Sequence, residues 1–118
     1  MLKYKVFVIN LARSQERLAQ IAAQLAEVNI PFERIDAVEG KLLSADEIEA
    51  VSPARIAKQH YYRDLSKGEI GCSLSHKRAW QKIIDDDLDL AFVFEDDIHL
   101  EANFAATINM ILNLPTMD

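Results

Sequence analysis

Val6-Phe7-Val8-Ile9-Asn10-Leu11-Ala12-Arg13-Ser14 is the stretch that decides the fold. Its first four residues are β-branched or aromatic and apolar without alternation, the pattern of a strand covered on both faces, as in a parallel sheet. Asn10 and Arg13 close the run, and Ser14 offers a helix N-cap with Glu16 in the first turn, where the macrodipole favours an anion. Leu18, Ile21, Ala22, Leu25 and Val28 follow at helical spacing as one apolar stripe, which Asn29 and Pro31 end. Phe32 to Val38 reads as a second strand and Gly40 as the turn after it. Strand, helix and strand in this order predict a βαβ unit with a right-handed crossover.

Further along, Ser44-Ala45-Asp46-Glu47 and Ser66-Lys67-Gly68-Glu69 both match a capping box. The first predicts a short helix interrupted by Ser52-Pro53; the second opens a long helix running to about Ile84. Between them Tyr61-Tyr62 either packs against the fold or covers a site. On the long helix Cys72, His76, Ala79 and Ile83 share one stripe, flanked by Trp80 and Ile84, and Cys72 reads as a small buried hydrophobe. Leu90 to Phe94 is a third buried strand, and Asn103 caps a last helix that carries Phe104, Ile108, Ile111 and Leu112 inward and stops at Leu114-Pro115.

The 118 residues fit one domain, 1–118, with enough chain for a modest core. A net charge of -6 excludes nucleic acid or an anionic membrane as the main partner, since either requires basic clusters. Cys72 is the only cysteine, which excludes an intrachain disulfide and a thiolate metal cluster. The apolar run after Lys3 and Lys5 is too short for a secretory signal, and no segment has the length of a membrane span, so a cytoplasmic protein is expected.

An open parallel sheet binds ligands beyond the carboxyl ends of its strands. Asn10 to Arg13, Ala37 to Gly40 and Glu95-Asp96-Asp97 meet that condition. The acidic triplet is the most informative: charges ~6–7 Å apart at an effective dielectric of about 20 repel by about 2–3 kcal/mol per pair, and a divalent cation reverses that cost. All-oxygen ligands select hard ions, Mg²⁺ or Mn²⁺ where substrate phosphates complete the shell. Alternation sets Glu95 and Asp97 on one side and Asp96 on the other, provided the strand extends that far. A solvated acidic turn is the competing reading. Asp85-Asp86-Asp87 and Asp89 lie after a helix and before a strand, at the amino edge, and read as a solvated loop beyond the helix end. Arg13 and Arg17, one turn apart, suit phosphate or a base, or are solvated helix charges. His76 is either a core histidine or a site residue. Gly68-Glu69-Ile70-Gly71 lacks the spacing of a glycine-rich phosphate loop.

Taken together, these segments resemble glycosyltransferase family 25, the lipooligosaccharide galactosyltransferase group that includes procollagen galactosyltransferases. The likeness rests on Val8 to Ser14 with Arg17, on Phe32 to Gly40, on Gly68-Glu69-Ile70-Gly71-Cys72-Ser73-Leu74-Ser75-His76 and on Phe94-Glu95-Asp96-Asp97, in that order. The resemblance implies a GT-A-like, Rossmann-like α/β sandwich with a small, mainly parallel sheet flanked by helices and incomplete at its carboxyl end. It implies a UDP-sugar donor, usually UDP-galactose, and inverting transfer to a saccharide acceptor of lipooligosaccharide, with Mn²⁺ or Mg²⁺ held by Asp97 and Glu95. Asn10, Leu11, Arg13, Arg17, Glu69, His76, Glu95 and Asp96 are the residues it implies for the nucleotide sugar. Ala12 stands where the family commonly has an acid. The acceptor site and general base are expected beyond residue 118. Two other readings are a non-catalytic nucleotide-sugar-binding fragment and an oligomerising structural remnant, whose exposed apolar edge would favour a homodimer. Peripheral contact with the cytoplasmic face of an inner membrane is also expected.

Overall fold

The computed structural model describes residues 2–51 and 66–114. Tyr61-Tyr62, Ser52-Pro53 and Pro115 lie outside the described residues. The elements are β1 (Tyr4–Asn10), α1 (Gln15–Glu27), β2 (Glu33–Asp36), a 3-10 turn (Gly40–Leu42), α2 (Ala45–Val51), α3 (Lys67–Asp85), β3 (Leu90–Glu95) and α4 (Phe104–Leu112). The sheet is parallel throughout, in the order β2-β1-β3. This is the small, helix-flanked α/β arrangement expected.

The central strand is apolar on both sides because both sides are covered. Phe7 and Ile9 pack with Ile35, Ala79 and Ile83 on the face beneath α3. Val8 packs with Ile21 and Leu25 of α1 on the other, joined by Phe32, Ile98 and Phe104. Phe7, Val8, Ile21 and Leu25 are fully buried. Removing a large side chain from such a position costs about 2–5 kcal/mol.

Helix ends follow the signals in the sequence. Asn29 adopts φ 58, and the Ile30 amide donates to the Leu25 carbonyl at 3.0 Å, a left-handed C-terminal cap that stops α1. Both capping boxes form: Ser44 with Glu47, and Ser66 with Glu69. Ser14 occupies the N-cap of α1 and Asn103 that of α4, each without a side-chain cap bond.

The amino edge departs from the solvated loop expected of it. α3 continues through Asp85, and Asp87 at φ 53 caps it, with the Leu88 amide reaching the Ile83 carbonyl at 3.1 Å. Asp86 is half-buried and meets Lys5 Nζ at 2.8 Å and Lys82 Nζ at 3.7 Å, while Lys3 Nζ donates to its carbonyl at 2.7 Å. The Lys3 amide donates to the Asp89 carboxylate at 2.8 Å. Lys5 and Lys82 thus neutralise Asp86 and offset part of the unfavourable helix-end charge.

At the opposite edge, the chain after β2 lies directly on the first turns of α3. A Cβ at Gly71 would sit 2.7 Å from the Gly40 amide nitrogen and 2.8 Å from the Val38 carbonyl, and one at Gly40 would overlap the Lys67 carbonyl. Ser75 Oγ accepts from the Val38 amide at 2.9 Å and donates to the Gly71 carbonyl at 2.7 Å. Backbone-to-backbone contact and one buried hydroxyl therefore fix where α3 overhangs the carboxyl ends of the strands.

Candidate functional site

Registers Ile9↔Ile35 and Ile9↔Glu95 bring the ends of β1, β2 and β3 to one rim. Beyond it opens a cleft of about 220 Å³, walled by Leu11, Arg17, Val38, Cys72 and the acids Glu95, Asp96 and Asp97. An adjoining groove shares the Leu11 and Val38 wall and extends to Arg13, Glu39 and Arg78.

The acidic triplet does not act as one block. β3 stops at Glu95, so alternation governs only the first of the three. Glu95 turns to the α3 side, where its Oε1 accepts from Cys72 Sγ at 3.4 Å and lies 3.6 Å from His76 Nε2. Asp96 turns to the α1 side, accepts from Asn10 Nδ2 at 2.7 Å and stands 3.8 Å from Arg17. Asp97 is exposed on the cleft wall and makes no hydrogen bond or ion pair among the described residues.

Asn10 lies beneath the cleft, 1% exposed. Its Nδ2 donates to Asp96 and to the Ser14 carbonyl at 3.0 Å, and its Oδ1 accepts from Arg34 Nε at 2.9 Å. Arg34 also donates to the Asn10 carbonyl at 2.8 Å and to Asp36 at 2.9 Å. Both amide donors are committed, so Asn10 fastens β1, β2 and the turn after β3 together. Bonds of this kind to charged partners are worth about 1.5–3 kcal/mol each.

The other residues singled out in the sequence spread around the rim. Leu11 walls both cleft and groove. Arg13 Nε meets Glu39 at 2.7 Å, and that bond, helped by Lys41, holds the Glu39 carboxyl below its usual range. Arg17 is 61% exposed at the cleft mouth. Glu69 is engaged in the capping box at the start of α3, and His76 is half-buried beside Glu95.

Cys72 corrects the expectation of a small buried hydrophobe: it is exposed and lines the cleft. The stripe that carries Ala79 and Ile83 onto the sheet runs, toward the start of α3, past the strand ends. Partial desolvation, then Glu95, raises the thiol pKa. Ser75 and Arg34, not singled out in the sequence, hold the rim together; their signal is a long-range register that no local pattern carries.

A parallel sheet with an acid-lined cleft at its carboxyl rim defines a Rossmann-like α/β domain. The family profile described as glycosyltransferase family 25 (LPS biosynthesis protein) matches residues 3–116, and the chain belongs to that family. It is 35% identical over 111 residues to procollagen galactosyltransferase 1 of Danio rerio, covering 92% of this chain and 18% of that protein. It is 33% identical over 115 residues to procollagen galactosyltransferase 2 of Homo sapiens, with 92% and 18% covered. To the human protein named inactive glycosyltransferase 25 family member 3 it is 36% identical over 111 residues, with 92% and 19% covered. The chain thus spans less than a fifth of the length of these relatives.

Proposed function

We propose that this chain forms the donor-binding part of a glycosyltransferase, holding a UDP-sugar, UDP-galactose in the first instance, in the cleft at the strand ends. The observation that carries the reading is the convergence of Leu11, Arg17, Glu95, Asp96 and Asp97 on one cleft at the carboxyl rim of a parallel sheet.

Mn²⁺ or Mg²⁺ fits this donor set. Such ions need only one or two carboxylates when substrate phosphates complete the shell. Asp97, free of other partners among the described residues, and Glu95 would hold the ion. When bound, it supplies charge neutralisation for a diphosphate leaving group. Arg17, 3.8 Å from Asp96 and largely exposed, is close enough to turn from that acid to a phosphate oxygen. Leu11 and Val38 supply an apolar wall for a base or ribose. The donor anomeric carbon would face the acceptor hydroxyl at the open side of the cleft.

For the acceptor we favour a saccharide hydroxyl of a lipooligosaccharide, met at the cytoplasmic face of a membrane. No helix among the described residues is long and apolar enough to cross one. The similarity to procollagen galactosyltransferases favours a second acceptor class, a hydroxyl on a protein chain. Similarity to a relative named inactive favours donor binding without transfer. Calorimetry with UDP, with and without Mn²⁺, followed by transfer assays on both acceptor classes, tests these. Metal-dependent UDP binding with transfer supports the enzyme, binding without transfer supports the non-catalytic reading, and no UDP binding even with metal overturns both.

A further inference from the structure

Glu95 does not simply face solvent with its neighbours in the acidic motif; it closes a set of mixed donors. Cys72 and His76 stand one turn apart on α3, so their side chains project on the same face. The end of β3 delivers Glu95 against them. Among the described residues this is the set of three His, Cys, Asp or Glu side chains whose ligand atoms converge, all within 4.8 Å of one another. We propose that Cys72, His76 and Glu95 form a binding site for a borderline-soft divalent cation of the Zn²⁺ class, with one coordination position open to the cleft.

Three features carry this. The first is spacing. A tetrahedral Zn²⁺ with bonds of about 2.3 Å to sulfur and about 2.0–2.1 Å to nitrogen or oxygen holds sulfur and oxygen about 3.6 Å apart, and nitrogen and oxygen about 3.3 Å apart. The corresponding separations are 3.4 Å for Cys72 Sγ to Glu95 Oε1 and 3.6 Å for His76 Nε2 to Glu95 Oε1. The remaining edge, Cys72 to His76, is at most 4.8 Å.

The second is donor chemistry. A thiolate, an imidazole and a carboxylate select Zn²⁺ over Mn²⁺ or Mg²⁺, which take oxygen donors. Both contacts of Glu95 use Oε1, leaving Oε2 for the hard ion assigned to Asp97. The third is access and charge. Cys72 and Glu95 line the cleft beside Asp96 and Asp97, so a cation enters from solvent into negative surroundings and a water or substrate oxygen completes its shell. Binding releases the thiol proton to solvent. The inference does not depend on nucleotide-sugar binding.

The test is a titration of chelator-stripped protein with Co²⁺ in the absence of nucleotide. One equivalent should give a near-ultraviolet thiolate-to-cobalt charge-transfer band, abolished by one equivalent of Zn²⁺ and unaffected by excess Mn²⁺ or Mg²⁺. Cys72→Ser should remove the band and weaken Zn²⁺ on the order of 100-fold, as should His76→Gln for Zn²⁺, while Asp97→Asn leaves both intact. Because Cys72 is the only cysteine, thiol alkylation reads the same site in the unmutated protein, and Zn²⁺ but not Mn²⁺ should protect it. No charge-transfer band, or no protection by Zn²⁺, overturns the proposal. So does loss of the band in Asp97→Asn, which would move the ion to the acidic turn.

Discussion

The two rims of the sheet carry acidic runs that look alike in sequence, Asp85-Asp86-Asp87 with Asp89 at the amino rim and Glu95-Asp96-Asp97 at the carboxyl rim. At the amino rim the half-buried charge, Asp86, is answered from within, while exposed Asp87 has no side-chain partner among the described residues. Lys5 and Lys82 reach the Asp86 carboxylate, Lys3 Nζ donates to the Asp86 carbonyl and the Lys3 amide to the Asp89 carboxylate, and Glu33 joins Lys5 and Lys82 at 3.4 and 3.2 Å. At the carboxyl rim the internal answer is partial: Asp96 is held by Asn10 and Arg17, Glu95 meets only a thiol and an imidazole, and Asp97 has no partner among the described residues. Repulsion between carboxylates is the same physics in both places. What separates a structural clasp from a site is whether the fold itself supplies the cations.

The strongest way to break the comparison is to remove the unpartnered acid. Asp97→Ala should weaken metal-dependent UDP binding on the order of 100-fold, with thermal stability unchanged or slightly raised because a repulsive charge is lost. Equal UDP affinity in the variant, read by calorimetry, would place the carboxyl rim with the amino rim as mere surface. Next in size comes the close approach that shapes the carboxyl rim. Gly71→Ala forces backbone apart at Gly40 and Val38 and should cost about 1–3 kcal/mol by chemical denaturation. A neutral result would mean that the chain after β2 does not rest on α3. Asn10→Ala should cost about 1–3 kcal/mol by leaving Arg34 and Asp96 short of a buried partner. It should also weaken UDP binding by freeing Asp96, whereas a pure stability loss would restrict Asn10 to the core.

How far these features were legible depends on the range of the interaction that sets them. Local signals sufficed for β1, for both capping boxes and for Asn29 as the stop to α1, since each is written within a few residues. The position of Glu95-Asp96-Asp97 at the carboxyl rim also followed, because an apolar run precedes it. Glu95 and Asp96 do turn to opposite sides, as alternation expects, but the partners each meets did not follow, since they depend on β3 ending at Glu95 and on Asn10 and α3 lying alongside. Cys72 departs from its expected burial for a related reason. Helical periodicity gives the face of a residue but not where the sheet beneath that face ends. Lys82 meets Asp86 at i,i+4 spacing, but Lys3 and Lys5, which also meet Asp86 and Asp89, come from more than eighty positions away, and no spacing rule connects them.

The amino rim gives the smallest effect and the sharpest contrast. The hydrogen bond from Lys5 lowers the Asp86 pKa below its ordinary value, and the same bond raises that of Lys5. A carboxylate with a depressed folded pKa contributes stability above its unfolded pKa of about 3.9 and loses it as pH falls through the folded value. A lysine with a raised folded pKa contributes below its unfolded value of about 10.4 and loses it as pH rises through the folded one. Melting temperature should therefore be flat near neutrality and fall at both extremes. Asp86→Asn should flatten the acid limb and lower the neutral plateau slightly, and added salt should shrink the difference because these groups are solvent-screened. UDP affinity should be the same in Asp86→Asn as in the unmutated protein. A variant that kept its full acid sensitivity would show that Asp86 is no clasp, and one that lost UDP binding would show that the two rims are coupled through β1.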